Sequence, residues 1–389
     1  MSASLKKSAL FALALLTLSM LAVPGLMAQQ TFSTTVYLDY RYFLSNAGPM
    51  TLKPADATTP YVNNQFVFRR AYFTYENKIN DNLKFRFRYD ADNTANVTGV
   101  GLIGSPVSGV SLSKDDKLRP FIKHLYFEWS NFLFPNQALK VGMEETLTFK
   151  IAEDKWGYRS VAKTLLDGYK DLTGVDIQAT SADIGASLQG SVAKQLRYGV
   201  QVVNGSGYAH VENTRYKKLE GNVQIIPVPG LSVVGYMDYE RQQDKANPLG
   251  LTAPKAVTYK LDAYFEGIKD LVLGGEWFVY RNDLNQALDP ATESEAKFNI
   301  GGWSVFGHYT LAPGKLNAFA RYDAYRPNSL NPAKDMSLAI AGLDWAPISS
   351  TLRIQPNIWF VHYKDGTQYK PSATSNSDVL FNLTFFLSF

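Results

Sequence analysis

The chain has 389 residues, 46% of them hydrophobic and 13% aromatic, with 28 Gly, 18 Pro and no Cys. So much apolar and aromatic surface excludes a disordered chain. The absence of cysteine excludes a disulfide framework, a thiolate metal site and a cysteine nucleophile. The formal charge of +4 falls to about +2 without Lys6 and Lys7, which gives no field for gripping nucleic acid. Four scattered histidines (His124, His210, His308, His362) leave little room for a metal centre, so neither a metal nor another cofactor is expected.

Residues 1–28 read as a secretory signal. Lys6 and Lys7 precede the apolar run Ser8–Val23, and a candidate cleavage follows Ala28. That run is shorter than the ~20 residues a spanning helix needs, and no later segment approaches it. The mature region, 29–389, is expected to be a single domain. Its pattern has period two, clearest in Leu83–Asp92, where apolar residues hold every odd position and charged ones every even position. In a strand those two sets lie on opposite faces.

Sixteen such strands are expected, near 33–45, 64–77, 82–93, 119–130, 136–145, 172–182, 192–204 and 216–226, then 231–240, 256–267, 270–281, 297–310, 315–326, 335–346, 351–363 and 378–388. The short-chained stretch 183–195 could extend either neighbour. Most connections alternate between short turns (78–81, 130–135, 227–230, 268–270, 312–314, 346–350) and long loops (46–63, 94–118, 146–171, 205–215, 241–255, 282–296, 327–334, 364–377). That asymmetry marks an all-β fold: a transmembrane antiparallel β-barrel with short periplasmic turns and long extracellular loops. A sheet in lipid must close, because an edge leaves backbone groups unpaired. The implied location is the bacterial outer membrane, with the lipid bilayer as the barrel's surroundings. Tyr40, Tyr42, Trp129, Trp277, Trp345 and Trp359 suit the interfacial aromatic girdles. The last strand carries Val379, Phe381, Leu383, Phe385, Leu387 and Phe389 on one face, and a terminal Phe389 resembles the signal read by outer-membrane assembly machinery.

Parity against the apolar set directs Arg41, Lys84, Arg86, Arg88, Lys140, Arg197, Lys260, Arg321 and Arg353 into the lumen. It also directs in Asp39, Asp90, Asp92, Glu128, Asp176, Asp238, Asp262, Glu266, Glu276 and Asp323. Lys84, Arg86 and Arg88 form a basic ladder with rungs ~6.8 Å apart. Arg69 and Arg70 are adjacent, so without a bulge only one of them points in beside it. These cations, with Arg321, are the pore-lining and anion-binding candidates, and Arg86 and Arg88 are expected to lead any anion preference. Salt bridges to Asp90, Glu76 or neighbours are the competing use of the ladder. The loop 146–171 is long for a structureless connection. It is expected to fold inward as a constriction, with Lys150, Lys155, Trp156, Arg159 and Lys163 as its candidate residues and a surface loop as the alternative.

Other motifs are weaker. Gly99–Gly104 matches the dinucleotide fingerprint, but that motif works only between a strand and a helix, and Pro106 and Gly109 follow here. Met143-Glu144-Glu145 and Glu153-Asp154 lack a partnering histidine, and no histidine has an obvious serine partner at strand spacing. No enzyme is expected. The chain resembles the phosphate-selective porin O and P family through Phe68-Arg69-Arg70-Ala71-Tyr72 leading into Leu83–Asp90, and through Val141-Gly142-Met143. Further matches are Val203-Asn204-Gly205-Ser206-Gly207, Leu219-Glu220-Gly221 with Pro227-Val228-Pro229-Gly230, and Phe319-Ala320-Arg321-Tyr322-Asp323. The resemblance implies a sixteen-stranded homotrimeric channel with its third loop folded inside and inward basic side chains passing anions. The chain departs from that pattern in its many inward carboxylates. The expected function is passive or weakly selective diffusion of small hydrophilic solutes, including anions such as phosphate. The alternative is a barrel serving adhesion through its long loops.

Overall fold

The computed structural model describes residues 29–45, 64–92, 96–103, 109–115, 119–212, 215–242, 250–251, 253–289, 294–371 and 373–389. The signal segment 1–28 lies outside the described residues. The alternating segments form eighteen strands: β1 (Gln29–Ser45), β2 (Asn64–Lys78), β3 (Leu83–Asp92), β4 (Asn96–Ile103), β5 (Gly109–Asp115), β6 (Arg119–Ser130), β7 (Gln137–Glu145), β8 (Ala182–Ala193), β9 (Leu196–Val203), β10 (Lys218–Val228), β11 (Leu231–Arg241), β12 (Lys255–Ile268), β13 (Leu271–Asp289), β14 (Ser294–Ala312), β15 (Leu316–Arg326), β16 (Met336–Trp345), β17 (Leu352–Tyr363) and β18 (Ser377–Ser388). Sixteen of them close into one antiparallel barrel, in which β3 pairs with β6 and β1 with β18. The remaining two, β4 and β5, form a separate hairpin in the connection expected to be a loop, and Gly99–Ile103 of the fingerprint lies on β4.

Closure follows from the requirement that no edge be left unpaired. The last residue takes part in it: Thr34 N donates to Phe389 O at 2.7 Å, and Phe389 N donates back to Thr34 O at 3.0 Å. Outward positions carry Phe73, Tyr89, Phe127, Trp129, Trp277, Trp303 and Trp345, all exposed, as a barrel that must face an apolar medium requires.

One expected strand is absent. Of the expected strand 172–182 only Ala182 pairs in the barrel, as the first residue of β8, which occupies that place with β7 on one side and β9 on the other. Alternation persists in β8, with Asp183 and Ser187 buried inside and Ile184 and Val192 exposed outside, but glycine, alanine and serine mute it. Gly185 has a physical reason to be glycine, since a Cβ there would lie 2.0 Å from Val202 O. The inward connection therefore runs over 146–181. It contains α1 (Lys150–Trp156), ended by Gly157 at φ 70°, and α2 (Tyr169–Thr173). Asp176, expected on a strand facing the lumen, lies in this connection and pairs with Lys170 at 2.7 Å.

The main apolar core sits inside the barrel. Phe278, Ile300, Phe306, Phe319, Tyr325, Leu338, Ile340, Val361 and Leu380 are buried on the inner wall. Phe149, Trp156, Val161, Leu165, Leu166, Tyr169 and Ile177 of the connection pack against them. Trp359 belongs to this core at 9% exposure, not to an outer girdle. The upper part of β17 is apolar on both faces (Ile358, Trp359, Phe360, Val361), so alternation there could not assign a side.

Candidate functional site

The connection 146–181 crosses the lumen and is tied at both ends. At its root, Leu147 N donates to Gln201 Oε1 and Glu220 Oε2, each at 3.1 Å, and Thr148 Oγ1 donates to the Tyr236 hydroxyl at 2.6 Å. On the far side, Trp156 sits edge-on to Phe306 and Phe319, and its Nε1 donates to Ala162 O at 2.9 Å. Ser160 Oγ donates to Gln355 Oε1 at 2.7 Å, and the Tyr169 hydroxyl to Gly301 O at 3.2 Å. From the opposite wall, Arg69 Nη1 donates to Val161 O at 3.2 Å. A fully buried apolar side chain contributes ~1.5–3 kcal/mol, so the row from Phe149 to Ile177 offsets the entropy of ordering a long segment.

The wall facing this segment is basic, and two irregularities make it so. In β2 the register against β1 skips Arg69, because Tyr37 opposes Arg70 and Leu38 opposes Phe68. The extra residue is a bulge, and both arginines point inward: Arg69 Nε lies 2.6 Å from Asp39, and Arg70 Nε lies 3.2 Å from Asp90. In β6 the register against β3 skips Lys123 in the same way, and Lys123 and His124 are both buried. Each bulge is written in the sequence as two consecutive polar residues within an alternating strand. That signal would have found Lys123 and His124, which parity alone missed.

Tyr72 stands at the centre of the cations. Arg88, Lys123 and Arg70 lie over its ring at 4.9, 5.2 and 5.6 Å, and the Arg70 and Lys123 side chains also donate to its hydroxyl. The ring face and the Asp90 carboxylate let like charges gather here. The ladder residues have different partners. Lys84 pairs with Glu128 at 3.3 Å, and Arg86 bridges Glu76 and Glu145, both at 3.3 Å. Arg88 donates to Thr74 Oγ1 at 2.8 Å and has no carboxylate within 4.0 Å among the described residues. The ladder is thus neutralised at its lower rungs and open at Arg88.

The loop candidates are mostly engaged in pairs. Lys150 meets Asp154, Lys155 meets Glu266, Lys163 meets Asp171 at 2.9 Å, and Arg159 meets both Asp167 and Glu153. Burial pushes the Asp167 carboxyl up, but Arg159 and Lys163 outweigh it and hold it well below the usual range. Glu153 goes the other way, raised chiefly by burial. Trp156 is completely buried against the wall at Phe306 and Phe319. Arg321 points inward but lies under the segment, closed by Asp323 at 2.7 Å, with its Nη1 donating to Lys163 O. His362, for which no serine partner is evident from the sequence, has Nδ1 3.1 Å from Ser377 Oγ.

Among solved structures, the outer membrane channel DcaP of Acinetobacter baumannii aligns with 93% of this chain and 97% of its own, at 11% identity and a TM-score of 0.56. Salmonella typhi OmpF, in complex with daunomycin, aligns with 93% of this chain and 98% of its own at 10% identity and a TM-score of 0.57. A mutant of Rh. blastica porin aligns with 93% of this chain and 100% of its own at 7% identity and a TM-score of 0.50. The chain has the porin fold. Identities this low speak to fold alone. No family model and no curated protein matches the sequence.

Proposed function

We propose that the chain is an outer-membrane porin, exported by residues 1–28, whose water-filled passage runs between the segment 146–181 and the basic wall of β1–β3 and β6. The passage carries small hydrophilic solutes by diffusion, with a weak to moderate preference for anions. The supporting observation is Arg88, a lumenal cation without a carboxylate partner among the described residues, beside Lys123 and Arg70. In water a unit charge ~7 Å away is worth ~0.6 kcal/mol to a passing anion, or about threefold in occupancy. Walls of low dielectric increase that by focusing the field.

The resemblance to the phosphate-selective porin O and P family supports anions as the solute and a homotrimer as the assembly. Phosphate itself has weaker support, because Arg69, Arg70 and Arg86 each face a carboxylate. The aromatic-rich outward faces and closed strand set support a bilayer location. Phe389, 68% exposed at the end of β18, remains available to assembly machinery, and deleting it should lower the yield of folded barrel.

The deciding experiment is the zero-current potential of planar bilayers in a salt gradient. Charge reversal of Arg88 alone changes its term by ~1.2 kcal/mol, about eightfold in local anion occupancy. The Arg88→Glu channel should therefore move clearly towards cations. An unchanged potential in a folded Arg88→Glu channel would remove Arg88 from the permeation route.

A further inference from the structure

A cavity of ≈ 320 Å³ opens between the segment 146–181 and the seam where β1 and β2 meet β16–β18. This is at the lower end of the size range of small-molecule sites. Its two sides differ in chemistry. One side carries Arg41 and Arg69, which share a single carboxylate: Arg41 Nη2 lies 3.1 Å and Arg69 Nε 2.6 Å from Asp39 Oδ2. The second Asp39 oxygen accepts from Thr384 Oγ1 at 2.8 Å. Within that trio two guanidinium groups face one carboxylate, and Arg69 Nη2 is buried with no hydrogen-bond acceptor among the described residues. The other side is apolar, formed by Leu338, Trp359 and Leu380. The remaining cations on the lining have their own partners, Arg70 with Asp90 and Asp92, Arg159 with Asp167 and Glu153, and Lys163 with Asp171.

A hydrated inorganic anion gains nothing from an indole and two leucines. A chloride or orthophosphate site would be lined by donors throughout, and here more than half of the lining is apolar. We propose that this cavity is a binding site for a small organic anion that has a carboxylate at one end and an aromatic or branched apolar body at the other. The carboxylate accepts from Arg69 Nη2, beside the Arg41 guanidinium. The body lies against Trp359, Leu338 and Leu380. The site deepens the channel reading and rests on it for its role: a solute held there is concentrated at the long-loop end of the passage, above Arg88. A buried unpaired donor costs free energy, which a carboxylate recovers on binding.

The test is calorimetric titration of the detergent-folded barrel with sodium benzoate and with sodium acetate, two carboxylates that differ in their apolar body. Benzoate should bind at least tenfold more tightly than acetate. Arg69→Gln should weaken both, and Trp359→Ala should bring the ratio down to about threefold or less. If Trp359→Ala fails to give a heat-modifiable band, Leu380→Asn replaces it with the same expectation. Equal affinities for the two anions, or an unchanged ratio in the folded Trp359 or Leu380 variant, would overturn the proposal. Bilayer recordings separate the two readings. An absence of ohmic steps would remove the channel while the calorimetric ratio still decides the cavity. Ohmic steps with no benzoate preference would remove the cavity site and leave the channel standing.

Discussion

The two sides of the lumen are built from the same alternation and end with opposite chemistry. On β1–β3 and β6 the inward set includes Asp39, Arg41, Arg69, Arg70, Arg86, Arg88 and Lys123, half-buried to buried and engaged in ion pairs or with a tyrosine ring or a threonine hydroxyl. On β13–β17 it includes Phe278, Ile300, Phe306, Phe319, Leu338 and Val361, roofed by the segment 146–181. The charged wall is held together by ion pairs, because leaving so many charges desolvated and unpaired would be costly. The apolar wall expels water and draws the segment onto itself. The proposed passage therefore runs along the charged side of the lumen. The same residue type has a different fate on each wall: Arg88 is part-buried with no carboxylate within 4.0 Å among the described residues, and Arg321 is sealed under the segment by Asp323.

Removing the roof is the strongest way to break this comparison. Deleting residues 150–165 should raise single-channel conductance several-fold in a barrel that still shows heat-modifiability. A conductance within a few tens of per cent of the parent would mean that strand residues form the narrowest point. Next in size is Trp156→Ala, which leaves a large void between α1 and Phe306. Truncations of this kind cost ~3–5 kcal/mol, so the segment should open to protease while the strands stay protected. Protection equal to the parent would show that Trp156 does not hold the segment down.

The two arginines give a sharper contrast. Arg321→Gln strands the buried Asp323 carboxylate, and breaking a buried pair costs ~3–5 kcal/mol. It should lower the denaturation midpoint and shift the zero-current potential less than Arg88→Gln does. Arg88→Gln, with no ion pair to break, should shift the potential with little loss of stability. Reversal of that order in a urea titration and a salt-gradient recording would undo the assignment of the two walls. The smallest effect belongs to Lys84→Ala. Its pair with Glu128 is half exposed and worth at most ~1 kcal/mol, so stability should hardly move, as a denaturant midpoint would report.

Much of the barrel was legible because a one-residue slip in a strand sends every side chain to the wrong face. Leu83–Asp92 and the final strand follow that rule without exception through Asp90 and Phe385 respectively, and their inward and outward sets are as parity requires. Three places were not legible. The small residues of β8 hid its alternation, and the adjoining run 172–182 alternates without a free strand edge to pair with. Trp359 sits where both faces of β17 are apolar. Arg69–Arg70 and Lys123–His124 break the period, and the bulges bring both members of each pair inside.

The sequence by itself determined the strand class, the closure into sixteen strands and which charges face inward along the regular strands, because these depend on residues one or two positions apart and on the ban on unpaired edges. Tertiary structure alone decided which inward charges remain open. Arg86 meets Glu145, Arg321 lies beneath Lys163, and Arg69 reaches Val161, contacts between residues tens to more than a hundred positions apart. Such partners are chosen by strand order and by where the segment 146–181 lands. Its landing place is set by the apolar patch on the far wall, which period-two alternation does not encode.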